Sequence, residues 1–517
     1  MIEFAALTGP LPKLGVVVVA LFAAGTLLLR ERRQRALAML GALVLAPVLL
    51  LSDIWDSPQL HLVHRHPLFA VVGAIFAVAV LAAVARVIAR HPGVLAPLAV
   101  VALPFRIPIQ TGPTTSNLLV PLYLVVAAGA LAWIVPALRA TPGSDPPEAD
   151  GSGGWAIWVE RLLAIYVVLY GIQAVYSPSF ETALQQMVFF YVPFALLYRL
   201  LRDLRWTRDT IRVCLLLTVA LALIFSAIGF VEYATKSIIL NSKLVVANDL
   251  HTYFTVNSVF FDPDIFGRYL ALVMILLAVL LIYDRPQREQ VQTIVALAVL
   301  WVGLLLTLSR SSLGALLVGL AVLAALRWKP SRALVIAVVV IALGGLAVAA
   351  TPRTFGLNQG INGASSGRGG LVSGGLSLFA DRPVWGWGSG SFVKEYRAHH
   401  RATATTLSAS HTIPITVGAE QGLIGELAYL ALVLAALVCL IRRARGDPIR
   451  SAIGAAFAAL VFHTLLYADF LEDPVTWALL GVGVSLAVTP LPAAVAAAPA
   501  GLRARLSRSR AAPAAGP

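Results

Sequence analysis

The 517-residue sequence is 59% hydrophobic and only 12% charged, with a mean hydropathy of +0.85. No single aqueous core takes in that much apolar surface, so a soluble globule is excluded and the chain reads as a polytopic membrane protein. Its formal charge of +14 sits largely in short loops between apolar runs, a sign of membrane orientation and contact with anionic membrane lipid, not of nucleic-acid binding.

In chain order the apolar runs fall at 14–29, 36–51, 67–85, 94–105, 118–137, 155–175, 182–198, 213–230, 264–283, 291–307, 312–326, 333–350, 413–440, 451–467 and 474–491. Most are long enough to cross a hydrocarbon core of roughly 30 Å as a helix, and 94–105 is the shortest. Unbroken runs exclude a strand barrel. The expected fold is all-α, with about 12–15 transmembrane helices. The first run is followed, not preceded, by Arg30 to Arg35 and shows no small-residue cleavage pattern, so it is kept as an anchor. Cys214 and Cys439 lie inside apolar runs and give neither a disulfide framework nor a metal-ligand spacing.

The chain divides into N-terminal membrane helices (1–140), a linker (141–154), central membrane helices (155–350), a long polar loop (351–412), C-terminal membrane helices (413–491) and a basic tail (492–517) expected to be disordered and cytoplasmic. The linker, TPGSDPPEADGSGG, is flexible by composition and would let the spans on either side form two loosely separable halves. No repeat of fixed period appears, which gives no support to a repeat-built transporter.

Alternate loops carry most of the 39 Lys and Arg residues: Arg30 to Arg35, Arg86 and Arg90, Arg139, Arg199 to Arg212, Arg285 and Arg288, Arg327 to Arg332, Arg442 to Arg450, and Arg503 to Arg510. Short basic loops stay in the cytoplasm, which orients every span without conflict. The opposite face then holds 53–66, 105–117, 231–262, 309–312 and the long loop.

Charges at membrane depth are costly, so each has to be explained. Arg310 interrupts an apolar run in Thr307-Leu308-Ser309-Arg310-Ser311-Ser312. It is either a snorkelling hairpin-tip arginine or an anion contact beside a helix N-terminus. Arg268 follows Asp262-Pro263-Asp264, a helix-capping pattern; it either pairs with Asp264 at i,i+4 or faces a phosphate. In the long loop, Arg368 and Arg382 are guanidinium groups suited to bidentate phosphate binding. Trp385 and Trp387, among glycines, suit a turn in the headgroup layer. His411, just ahead of an apolar helix, is either a capping or solvated residue or a general base near neutral pH. His399 and His400, beside Arg397 and Arg401, read as a solvated basic patch.

The succession Ser309-Arg310, Gly367-Arg368, Arg382-Pro383-Val384-Trp385-Gly386-Trp387-Gly388-Ser389-Gly390, His411 and Glu420-Gln421-Gly422-Leu423-Ile424-Gly425 resembles the O-antigen ligase/polymerase family of bacterial membrane proteins. Asp262-Pro263-Asp264 looks like that family's Asn-Pro-Asn motif with both asparagines replaced. The likeness covers roughly Phe260 to Trp477; earlier spans match only as hydrophobic segments. It implies a GT-C-like membrane glycosyltransferase of the bacterial inner membrane, with its site on the extracytoplasmic face and a long outer loop containing short helices. The implied donor is an undecaprenyl-diphosphate-linked glycan and the acceptor a glycan or glycolipid hydroxyl, with no metal or other cofactor. On this resemblance Arg268, Arg310, Arg368 and Arg382 would hold the diphosphate. His411 would activate the acceptor for inverting displacement, and Glu420 would support it by holding a histidine or arginine. The loop histidine favours a ligase over a polymerase. A flippase for the same lipid would instead need charges along a path through the bundle.

Overall fold

Among the described residues three Asp-Pro dipeptides start helices, and the physical reason is the same each time. Proline suits the first helical turn because its missing N–H would be unpaired there anyway, and the preceding aspartate accepts the next free amide. Asp262 takes the Asp264 N–H at 2.7 Å, Asp447 the Ile449 N–H at 3.0 Å and Asp473 the Val475 N–H at 2.9 Å.

The computed structural model describes residues 9–54, 65–111, 114–140, 154–238, 248, 254–283, 286–328, 331, 368–400 and 410–491. The helices are α1 (Pro10–Leu28), α2 (Arg32–Ile54), α3 (Pro67–Arg90), α4 (Leu95–Ala102), α5 (Val120–Arg139), α6 (Trp155–Ala174), α7 (Phe180–Gln186) and α8 (Val192–Asp203). They continue with α9 (Arg208–Thr235), α10 (Pro263–Ile282), α11 (Gln287–Leu306), α12 (Arg310–Arg327), α13 (Arg368–Asp381), α14 (Phe392–His400), α15 (Ile413–Ile441), α16 (Pro448–Thr464) and α17 (Pro474–Val488). A π-helical turn, Met187–Tyr191, joins α7 to α8 into one rod. Among the described residues, 11 helices are long and apolar enough to cross a membrane, and Pro92–Ala102, Pro448–Thr464 and Pro474–Val488 are shorter apolar ones. These match every expected span except 333–350, which lies outside the described residues, as do linker residues 141–153, loop residues 351–367 and 401–409, and the tail from 492. Among the described residues the only sheet is an antiparallel hairpin in the 105–117 loop, Ile107–Thr111 with Thr114–Leu118, pairing Ile107 with Leu118 and Thr111 with Thr114.

Packing does not follow the division that the linker suggests. Helix α6, just after it, lies against α1 and α15, and one apolar core runs through α1, α2, α5, α6, α8, α15 and α17. A second core is built by α9, α10, α11, α12 and α16. Chain order is therefore interleaved, and the expected separation into halves gives way to contact between the first and last parts of the chain. Glycines allow the closest approaches: a Cβ on Gly319 would sit 2.2 Å from Ile275 Cδ1.

Loops assigned to one face by their charge meet one another. Arg199 and Arg202 pair with Asp203 and Glu160 at 2.8 and 3.1 Å, and Arg35 reaches Asp203 at 3.7 Å. On the second core, Arg327 donates to the Ile282 carbonyl and Arg445 to the Ala325 carbonyl. Of the polar segments expected on the other face, the described part of 231–262 meets the turn before α12, where Val256 N–H donates to the Leu306 carbonyl at 3.3 Å.

Candidate active site

Helix α15 is broken at Gly422, whose backbone (φ 64°, ψ −165°) leaves the helical region. A continuous helix would have Leu423 N–H bonding Ala419 C=O and Ile424 N–H bonding Glu420 C=O. Here those rungs are replaced by a neighbouring strand-like segment. Ala419 C=O accepts from Trp387 N–H at 3.1 Å and Glu420 C=O from Gly388 N–H at 2.7 Å. Leu423 N–H donates to Pro383 C=O at 2.7 Å and Ile424 N–H to Val384 C=O at 3.4 Å. In a membrane every freed backbone group needs such a partner. The approach admits no side chain: a Cβ on Gly386 would meet Glu420 O at 2.3 Å, and one on Gly422 would meet Val384 O at 2.4 Å. Gly422→Ala is therefore expected to destabilise the fold by more than about 1 kcal/mol, seen as a lower Tm in detergent, because both φ and space forbid it.

Glu420 completes this splice. Its carboxylate accepts the Gly390 N–H at 2.8 Å and the Phe392 N–H at 3.0 Å, capping the entry to α14. It thus holds backbone amides, not the histidine or arginine expected of it, because the glycine-rich segment reaches the carboxylate first. Gln173 donates to the Trp385 and Gln421 carbonyls, and Ser389 Oγ to the Tyr170 carbonyl, fastening the segment to α6.

A second polar network lies where α10, α12 and α16 end. Asp264 accepts from Ser309 Oγ in a very short contact and from Ser311 Oγ at 3.1 Å, and its carbonyl accepts from Ser312 Oγ at 3.2 Å. His463, fully buried, puts Nε2 3.2 Å from both Ser311 and Ser312 Oγ. Tyr467 packs its ring against His463 (5.5 Å) and against His411 (5.7 Å), and its hydroxyl bonds the Asp262 carboxyl. His411 sits at φ 56°, a region where His is tolerated better than most residues, in a turn tied by Ser410 Oγ to the Thr412 N–H.

The four arginines divide between the networks. Arg268 is buried and pairs with Asp473 at 2.7 Å, also reaching the Asp469 carbonyl at 3.3 Å; the i,i+4 partner Asp264 is taken up by the serines instead. Arg310 opens α12 at the surface beside Ser309 and Ser311. Arg382 is exposed and stacks on Trp387, 3.9 Å above the ring. It lines an open cavity of about 630 Å³ with Tyr176 and Trp385. Arg368 opens α13, and its side chain lies outside the described residues. Trp385 is exposed as expected of a headgroup residue, but Trp387 is not: its Nε1 donates to the Leu378 carbonyl at 2.9 Å. His399 and His400 are exposed beside Arg397, as expected of a solvated patch, with His399 packed on Trp387 and His400 stacked on Tyr396 at 4.7 Å. Among the described residues no group of three or more His, Cys, Asp or Glu could hold a metal ion.

Electrostatics near the network favour neutral acids. Burial, then the neighbouring Asp264, raises the Asp262 carboxyl, while burial and Asp262 push the Tyr467 phenol well above its usual range, so it remains a donor. Burial, reinforced by Asp469, lifts Glu472 from 4.5 to about 7; the Tyr191 hydroxyl donates to it at 3.3 Å. A carboxyl with a raised folded pKa binds more protons in the native state than in the unfolded one. Stability is thus fully present below the unfolded value of 4.5 and is lost as pH rises through about 7. The Tm in detergent is expected to fall progressively from about pH 4.5 to about pH 7 and to level off above that, and less so in Glu472→Gln.

The arrangement brings His411 and Tyr467 to the N-termini of α10 and α12, whose opening turns carry Arg268 and Arg310, while Arg382 sits on the segment spliced to the Glu-Gln-Gly helix. Residues 295–430 match the family model described as O-antigen ligase. The match supports the O-antigen ligase/polymerase family. That segment spans α11, α12, the long loop and the first half of α15, and so includes Arg310, Arg368, Arg382, His411 and Glu420. Arg268, Asp262 and the whole 463–473 turn lie outside it. A search of curated proteins gave no match. The family supports a membrane enzyme of the glycosyltransferase type acting on lipid-linked glycan. Sequence reasoning missed Tyr467, His463 and Asp473. The only local signal was Asp473-Pro474, which marks a helix start and says nothing of Arg268.

Proposed function

We propose that this protein transfers a glycan from an undecaprenyl-diphosphate carrier to a hydroxyl acceptor at the outer face of the cytoplasmic membrane. His411 Nε2 or Nδ1 takes the proton of the acceptor hydroxyl as that oxygen bonds the anomeric carbon. The bond from that carbon to the diphosphate oxygen breaks with inversion, and undecaprenyl diphosphate leaves with the electron pair. Arg310, Arg368 and Arg382 meet the developing negative charge, a task at which fixed guanidinium groups in a site with little water are effective. Arg268, held by Asp473, adds charge from below. Glu420 acts by holding the glycine-rich segment that carries Arg382, and so positions it without touching the substrate.

The observation that carries the reading is the Tyr467 ring between His411 and the Asp262 cap, which puts the proposed base beside the N-termini of α10 and α12. The test is release of undecaprenyl diphosphate by purified protein given lipid-linked donor and an acceptor. Arg310→Ala is expected to lower that release by about 10²–10³-fold, the usual loss for one charge-stabilising group. Unchanged release would remove Arg310 from the site. Transfer of finished polymer, the ligase reaction, is the reading favoured by the loop histidine and the family description. A deletion strain would then accumulate long unattached chains; short unpolymerised units would make the protein a polymerase.

A further inference from the structure

A cavity of about 910 Å³ lies between α9, α10, α11, α16 and α17. Helix α10 lines it from Ile265 to Leu280, about 22 Å at 1.5 Å per residue, so the groove runs through most of the hydrocarbon thickness. Its walls are apolar, among them Leu215, Leu276 and Leu479. Its two ends differ. One carries Arg106 and the Arg268–Asp473 pair, next to the network described above. The other carries Arg208, Arg212 and Arg288, on the face of the basic loops. Asp209 and Glu289 share that rim, leaving one surplus positive charge. The first turns of α9, α11 and α16 also converge there: Arg208, Arg288 and Pro448 all line the groove. Three helix N-termini add their positive poles to the arginines.

We propose that this groove is a binding site for an acidic phospholipid from the leaflet that the basic loops face. The headgroup phosphate sits among Arg208, Arg212 and Arg288, and the acyl chains lie along Leu215, Leu276 and Leu479. The charge pattern decides between this occupant and a polyprenyl chain entering from the far end. A polyprenyl chain would bring only hydrocarbon to the three guanidinium groups and helix N-termini, whereas a phosphodiester matches both. The bound lipid fills the space between α9 and the α10–α16 pair.

The test uses purified full-length protein in nanodiscs of equal parts phosphatidylglycerol and phosphatidylethanolamine, followed by native mass spectrometry. Wild type should retain phosphatidylglycerol in preference to phosphatidylethanolamine. Arg208→Gln/Arg212→Gln/Arg288→Gln should lose that preference by about a hundredfold in occupancy. Equal retention by the variant, or recovery of a polyprenyl phosphate in place of phospholipid, would overturn the assignment. A second measurement needs no variant: phosphatidylglycerol with a diazirine at the acyl terminus should label α9 and α10 of the wild type. Labels confined to other helices would overturn it equally. Neither readout depends on glycan transfer.

Discussion

Alanine at His411 is expected to cut release of undecaprenyl diphosphate by about 10²–10⁴-fold, the range lost when a positioned acid–base group is removed. Binding of the donor should change little, since the proposed assignment gives the imidazole to the acceptor and the diphosphate to the arginines. Because residue 411 lies at φ 56°, alanine also disturbs a left-handed turn. His411→Asn separates the two effects: asparagine tolerates that backbone but cannot take a proton at neutral pH. Loss in both variants supports the base; near-normal turnover in His411→Asn would leave only a role in shaping the turn. Tyr467 supplies a further check. Its hydroxyl is fixed by Asp262 and its ring abuts His411, so Tyr467→Phe and Tyr467→Ala should lower turnover while His411 is present. On the His411→Asn background they should have little further effect, the non-additivity expected of residues that act together. Full additivity would mean that Tyr467 serves only the fold.

What the sequence discloses about this protein is mostly what a single helix requires. Apolar length gives the spans, arginine placement gives the alternation of loops, and Asp-Pro pairs give three helix starts; each depends on residues close together in the chain. The splice between 383–388 and the break at Gly422 depends on residues about forty apart. Nothing in Trp385-Gly386-Trp387-Gly388 says which carbonyls its amides will meet, although the crowding of glycines does signal a close backbone approach. Glu420 was misread for the same reason: a glutamate near a histidine suggests a side-chain partner, while the structure gives it two main-chain amides. His463 and Tyr467 sit at the end of an apolar run and carry no pattern of their own. They become visible only when α16 is laid against α12 and the 410–412 turn.

Arg268 and Asp473 form the other site where a large effect is expected. Their side chains are 3% and 4% exposed, and the closest nitrogen–oxygen distance is 2.7 Å. Removing either partner leaves an unpaired buried charge, so Arg268→Met or Asp473→Ser alone should cost about 3–5 kcal/mol of stability. Replacing both removes the charge altogether, and the serine keeps an oxygen to cap the Val475 N–H. The double variant should therefore recover most of the lost Tm, as other buried ion pairs do when both charges go. Activity tells the two roles apart. If Arg268 also supplies charge to the leaving diphosphate, the double variant will fold yet release undecaprenyl diphosphate about 10²-fold more slowly than wild type. Recovery of turnover along with stability would reduce the pair to a tie between α10 and the start of α17, and the diphosphate would then be left to Arg310, Arg368 and Arg382.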